Sequence, residues 1–393
     1  MGDPGQLKGS GVKLQGIRVL DMSNFLPGPY LTLAMADHGA EVIKIEQPEG
    51  DPGRRIPPFD GEHAVFFRNL NRGKKSIVLN LKSETDREKF YALSDSADVV
   101  VESSRPGVAK RLGVDYQTLT SRNKRLVYCA ISAFGQTGPN SPRAAHDLAI
   151  QATSGTLSLN LGNDSKPSLP AVPIADVAAG LSGLAGVLMA LYARVQTGRG
   201  DFIDISMQEA LIACSLNVLG TALSEGRNPV VKEQRSLGGA AFYNIYETSD
   251  GRQIAIGGQE QKFVHALLGK LGRMDLAPLC ERGPGSYQQP VIDLLKRTFV
   301  ALSQKEAIDL LSGLNIGWGP VNNLVEALAD PHLIERDAIL CDEHGKRHIA
   351  SPIRFAQEPA QVNFRVPTLN ENAVFLTERK PRETGRDQGR QRD

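Results

Sequence analysis

From Ile17 onward, short apolar runs of strand length alternate with segments of helical period. Residues 17–22 (Ile-Arg-Val-Leu-Asp-Met) predict a strand. A loop with Pro27, Gly28 and Pro29 follows, then a helix through Leu31 to Asp37, which Gly39 suits as a stop. Residues 42–45 predict a second strand that ends at Pro48. Strand, helix and strand within about 30 residues make a βαβ unit, which implies a parallel sheet. The alternation continues with strands at 76–81, 98–101 and 126–131 and a helix at 86–94. The loops at 26–29, 103–107 and 135–142 are rich in Gly and Pro and follow three of these strands. Open α/β sheets bind ligands at the carboxyl ends of their strands, so these loops are where a site is expected.

Beyond Asp147 the pattern turns helical. Residues 178–194 form a helix that is apolar on nearly every side, and such a helix is expected to be buried. Gly198 and Gly200 mark its end, followed by a strand at 202–205 and a helix at 208–223. The polar stretch 225–234 has the character of a linker. A hairpin over 242–248 and 253–257 turns at Asp250-Gly251, and helices follow at 263–271, 291–298 and 305–314. The expected organisation is a first part of a large domain over 12–224 and a small domain over 225–325. A helix-like 324–329 leads back into a returning part of the large domain over 326–376. The all-polar tail 377–393 is expected to be disordered.

At 393 residues the chain has room for two or three domains of about 150 residues. Its 45 basic and 44 acidic residues leave a net charge of +1, which gives no global pull toward nucleic acid or an anionic membrane. The longest apolar stretch, 177–192, is interrupted by Gly180, Ser182, Gly183 and Gly186. No uninterrupted run approaches the ~18 residues of a membrane span, so none is expected. The four cysteines are scattered without CxxC spacing, which argues against disulfides and zinc and for reduced thiols. No metal is expected. The polar, glycine-rich N-terminus lacks the apolar stretch of a signal peptide, and a cytoplasmic location is the expectation.

Several familiar signatures are missing. There is no GxGxxG after the first strand, no GxxxxGK[ST], no GxSxG and no HExxH. Among candidate residues, Asp176 precedes the apolar helix. Spacing alone makes it a helix N-cap, and the helix amides and macrodipole would keep its carboxylate ionised for use as nucleophile or base. His146 and Asp147 follow the 135–142 loop and also fit capping positions. Arg68, Arg72, Lys74 and Lys75 form a basic cluster, with Arg105 on a later loop. They are either a solvated run or a phosphate-binding set. Glu260 lies between a predicted strand and a predicted helix, a helix-start signal.

Taken in order, the segments GIRVLDMSNFLPGPYLTLAMADHGAEVIKIEQPEGD, NLNRGKKSIVLNLK, SSRPGVAKRLGVDYQTL, LVYCAISAFGQTGP, AHDLAIQATSG, IADVAAG and TGRGDFIDISMQEAL resemble the class III CoA-transferase family, also called CaiB–BaiF. The similarity runs from about Leu14 to about Asn370, and the order and spacing of the segments carry it.

The resemblance implies an α/β fold. Its large Rossmann-like domain is built from both chain ends, its smaller domain is α+β, and two subunits interlock as a homodimer. It implies coenzyme A as substrate and product, with no permanently bound cofactor, and an acyl-CoA (for example succinyl-CoA) and an organic acid as partners. Implied CoA contacts are Phe25, Leu26, Pro27, Lys44, Asn71, Arg72, Lys75 and Arg105, with Asp147 beside them. Asp176 takes the place of the family's catalytic aspartate, which forms an acyl-aspartyl anhydride and then an aspartyl-CoA thioester.

The same fold hosts 2-methylacyl-CoA racemases, in which a histidine and an aspartate act as acid and base. His146 and Asp176 match those positions, and Glu260 matches a supporting glutamate. Many transferases carry an aromatic residue where this chain has His146, so the racemase is the alternative. Formyl-CoA transferases have a glutamine near Leu26 or Pro27 and a four-glycine flap. Gly238-Gly239-Ala240-Ala241 does not reproduce that flap, so oxalate or formate is a less expected substrate.

Overall fold

The computed structural model describes residues 12–162 and 164–376. The tail 377–393, expected to be disordered, lies outside the described residues.

The chain forms two compact units. The first holds the chain up to Leu157, then Ser168–Cys214 and the chain from Glu335. Its centre is a parallel sheet of β1 (Arg18–Asp21), β2 (Glu41–Glu46), β3 (Lys75–Val78), β4 (Val99–Glu102), β5 (Val127–Ser132) and β6 (Phe202–Ser206). The strand order is 3-2-1-4-5-6, so the direction of winding reverses between β1 and β4. The strands are apolar on both faces because both faces are covered. Val19, Val42, Val99, Val101, Val127 and Cys129 point to one side, while Leu20, Ile43, Ile77, Val100, Tyr128 and Ala130 point to the other.

Helix α1 (Pro27–Asp37) packs on the first side, and α2 (Glu84–Ser94) inserts Phe90 and Leu93 on the second. The short α3 (Val108–Leu112) follows β4, and α4 (Asp147–Thr153) follows β5. Helix α1 begins at Pro27, earlier than predicted, because a proline at the first helical position needs no hydrogen-bond partner.

The long α5 (Ile174–Thr197) runs unbroken through its glycines, as the helix predicted over 178–194 does, but extends to 24 residues. By length and composition alone it could cross a membrane. The glycines serve packing on α1. A Cβ at Gly180 would stand 2.7 Å from the Pro27 carbonyl oxygen, and one at Gly183 would stand 2.8 Å from Leu31 Cδ1. The helix is also not fully buried. Ala175, Ala178, Ala179, Val187 and Leu191 face the core, whereas Met189, Tyr192 and Val195 are 70%, 74% and 82% exposed. One side of a sheet covers only one stripe of a helix. After β6, the helix predicted over 208–223 is broken into α6 (Met207–Cys214) and a separate turn of helix at Gly220–Glu225.

The second unit comprises Ser158–Pro167 and Ser215–Ile334, wider than the expected 225–325 at both ends. Its start coincides with the end of α6. The 158–167 segment joins it because Leu161, Gly162 and Ser165 line a cavity with Gly238, Asn244 and Lys296. Strands β7 (Tyr243–Glu247) and β8 (Gln253–Gly257) form the predicted hairpin, with Gly251 at φ 73° in the turn. The unpredicted β9 (Trp318–Pro320) pairs with β8. Helices α7 (Gln261–Lys270), α8 (Gln289–Val300) and α9 (Gln304–Ser312) cover the hairpin with Val264, Leu267, Leu295, Phe299 and Leu311. Ser303 starts α9 with a full capping box to Glu306.

Candidate active site

The carboxyl ends of β1, β4 and β5, at the reversal of winding, meet the head of α5. A cavity of about 280 Å³ opens there, lined by Phe25, Pro27, Arg105, Arg143, His146 and Asp176 among others. The loops after β1 and β4 and the segment before α4 supply these side chains, as the sheet's chemistry leads one to expect.

Asp176 is not the cap of α5. It is the third residue of the helix, and the cap comes from Asp147 on α4. One Asp147 oxygen accepts from Ala175 N at 2.7 Å and from Asp176 N at 3.2 Å, and the other accepts from Gln151 Nε2 at 2.7 Å. This arrangement reverses the expected electrostatics. Burial, with the Asp147 anion adding to it, pushes the Asp176 carboxyl up to about 7. The helix terminus does not keep it fully ionised, because its first amides are already bonded to another carboxylate.

His146 is the N-cap residue of α4 by position, with no side-chain capping bond. Its ring meets Phe25 edge to face, with centroids 5.6 Å apart. Phe25 has φ 61°, a left-handed conformation that a bulky residue rarely adopts. Its neighbours hold it there. Asn24 N donates to Ser103 Oγ at 3.0 Å. Ser23 donates through its N–H and hydroxyl to Asp21, and its carbonyl accepts from Lys44 Nζ at 2.8 Å.

Three of the expected CoA contacts have internal partners instead. Lys44 is wholly buried, paired with Asp51 at 2.8 Å as well as with Ser23 O. Asn71 is buried, donating to Phe67 O at 3.1 Å and accepting from Lys74 Nζ at 2.9 Å. Arg72 is buried in a two-pronged pair with Asp37 and also donates to Ile349 O at 2.9 Å. Lys75 is partly exposed, stands level with Ile43 of β2, and pairs with Glu41 at 2.7 Å. In this structure all four are engaged by groups of their own chain, as is Lys74 of the same basic run. Lys74 bonds Asp21 at 2.9 Å, and burial lowers its ammonium to about 8 despite that partner.

Of the remaining expected residues, Phe25, Pro27, Arg105, His146 and Asp176 line one cavity. Leu26 is the N-cap residue of α1, and Asp147 acts from behind Asp176. Glu260 belongs to the second unit, as the residue before α7, without a side-chain capping bond.

Spacing did not single out Asn24, Ser104, Arg143 or the residues of a second cavity. That cavity, of about 210 Å³, lies at the carboxyl ends of β2 and β3. Ile45, Leu79, Leu81 and Leu112 form apolar walls, with Gln47, Asn80 and Lys82 as polar groups. Asn24 and Ser104 line both cavities. Arg105, Arg143 and Lys82 have no carboxylate partner among the described residues. Also among the described residues, no three His, Cys, Asp or Glu side chains group in a way that could hold a metal.

The sequence pattern of CoA-transferase family III matches residues 14–373. The chain belongs to that family. It is a class III acyl-CoA transferase, and its six-stranded parallel sheet matches solved family structures. The succinyl-CoA:mesaconate CoA-transferase of Haloarcula marismortui is 30% identical over 95% of this chain and 97% of its own length. The succinyl-CoA:glutarate CoA-transferase of Homo sapiens is 29% identical over 92% of this chain and 85% of its own. The crystal structure of a CAIB/BAIF family protein from Brucella suis superposes with a TM-score of 0.80 at 30% identity, over 93% of this chain and 98% of that one. His146 and Asp176 share a cavity, as a racemase would require, but these two named enzymes are transferases and lend the alternative no support.

Proposed function

We propose that this family III enzyme moves CoA from an acyl-CoA donor to an organic acid through covalent states of Asp176. The observation that carries the proposal is the largely buried Asp176 carboxyl, facing a cavity that also holds Arg105 and Arg143. The Asp176 carboxylate attacks the donor thioester carbonyl, forming an acyl-aspartyl anhydride and releasing the CoA thiolate. The thiolate attacks the aspartyl carbonyl, giving an aspartyl-CoA thioester and freeing the donor's acid. The acceptor carboxylate attacks that thioester, and the thiolate leaves again. Its attack on the acceptor's carbonyl gives the new acyl-CoA and restores Asp176. Thioester and anhydride are both activated, so no nucleotide triphosphate is consumed.

The two cavities suit the two ends of CoA. The second has apolar walls for a purine, and Lys82 offers charge for phosphate. Asn24 and Ser104 mark the way to Asp176 for the pantetheine arm. The named relatives act on succinyl-CoA and a dicarboxylic acid. Arg143 beside Arg105 supports an acceptor of that class, whose free carboxylate would meet a guanidinium. The exposed apolar stripe of α5 supports assembly as an interlocked homodimer, in which a second copy covers it.

The test is incubation with donor acyl-CoA alone, borohydride or hydroxylamine trapping, and peptide mass spectrometry. A CoA-dependent adduct on Asp176 is expected. Full turnover by Asp176→Ala would sink the mechanism.

A further inference from the structure

The neck between the two cavities is built from one strand end. Asn24 and Ser104 line both cavities, and each is held from the carboxyl end of β4. Ser103 Oγ accepts from Asn24 N at 3.0 Å, and Glu102 Oε2 accepts from Ser104 N at 2.6 Å. Glu102 is the last residue of β4 and only 3% exposed. Strand neighbours Val99, Val100 and Val101 are wholly buried and apolar, so a valine or leucine would serve packing at this depth better than an acid. No salt bridge offsets this carboxyl among the described residues. Burial accordingly pushes it up to about 7, with Ser104 opposing the shift. A carboxyl in such a costly place, bonded to a loop amide at the neck, points to a role in that loop.

We propose that Glu102 is a positioning residue for the acyl-CoA arm: by holding the Ser104 amide it keeps the neck open between the nucleotide-side cavity and Asp176. This rests on the placement of CoA proposed above. Ser103 is the second strut of the same neck, acting on Asn24. Loss of either strut lets the 103–106 loop or the 23–26 loop relax into the passage. The nucleotide end, seated mainly on β2, β3 and α3, is then affected little.

The experiment measures binding of coenzyme A and of adenosine 3′,5′-bisphosphate to the full chain by titration calorimetry, with steady-state kinetics alongside. In Glu102→Ala the dissociation constant for CoA should rise about tenfold, as expected when a buried amide loses its acceptor. That for the bisphosphate should change less than about twofold, and KM for acyl-CoA should rise more than kcat falls. Glu102→Gln retains an acceptor for the amide and should recover most of the loss. Ser103→Ala, which leaves the core untouched, should show the same CoA-selective weakening and serves if Glu102→Ala does not fold. Equal losses for both ligands, unchanged CoA affinity in Ser103→Ala, or a Gln variant as weak as the Ala variant would each overturn the role of Glu102. If the two ligands do not compete in the unmodified protein, the placement of CoA falls, and this proposal falls with it.

Discussion

A carboxyl with a pKa of about 7 is divided near neutrality between acid and anion, and only the anion attacks a thioester. The rate of Asp176 acylation should therefore rise with pH through about 7 and level off above it. Asp147 contributes to that position through its like charge, and burial contributes more. Asp147→Asn keeps an oxygen for the Ala175 amide but removes the charge. It should move the acidic limb of kcat/KM downward by about one unit, measured from pH 5 to 9. An unmoved limb would show that Asp147 does not set the Asp176 proton. The same shift has a stability consequence. The carboxyl of Asp176 is harder to ionise folded than unfolded, so ionisation opposes folding above its unfolded pKa of about 4, fully so above about 7. Asp176→Asn should abolish transfer and yet stabilise the fold by about 1–3 kcal/mol at pH 8, with the gain gone near pH 4. Urea denaturation at the two pH values checks the sign. His146→Ala should slow transfer by less than about tenfold, since no transfer step requires its proton.

At the scale of elements, the approach of α1 to α5 sets the cavity's wall. Gly180→Ala would gain about 1 kcal/mol of helix propensity. Its new Cβ, however, would meet the Pro27 carbonyl, a backbone atom that cannot rotate away, so α1 must shift. A net loss of about 1–2 kcal/mol in urea stability and a reduced kcat are expected, because Pro27 also lines the cavity. This close packing was legible in part. The small residues of α5 announced it, as the apolar runs announced all six parallel strands. The basic residues were less legible. Their types suit phosphate, but whether Asp37 waits beside Arg72, or Glu41 beside Lys75, depends on chain segments 35 and 34 positions apart in sequence. The capping of α5 was hidden for the same reason, since its donor and acceptor are separated by 28 and 29 positions. Asn24 and Ser104 carry no chemical signature of their own. They acquire significance only where β1 and β4 diverge.

For the whole molecule, the outward stripe of α5 is the feature that most needs an explanation. Leu181, Leu188, Met189, Tyr192 and Val195 are exposed on a helix whose other face is in the core. Exposed apolar clusters of this kind mark interfaces with a protein or a membrane. The helix has the length and apolarity of a membrane span, but its core face holds the sheet that builds the site. Leaving for a bilayer would uncover Val19, Val99 and Val127. A second copy of the chain, as proposed above, would cover the stripe without that cost. Tyr192→Glu together with Val195→Lys should then break the assembly without touching the cavity, whose lining includes neither residue. Light scattering after size exclusion should give the mass of two chains for the unmodified protein. For the double variant it should give a lower mass, or a melting temperature that falls on dilution. If subunits interlock, the variant should also lose yield, because each chain then completes its fold around the other. A monomeric unmodified protein at micromolar concentration would refute the dimer, and flotation of that monomer with lipid vesicles would give the stripe to a membrane instead.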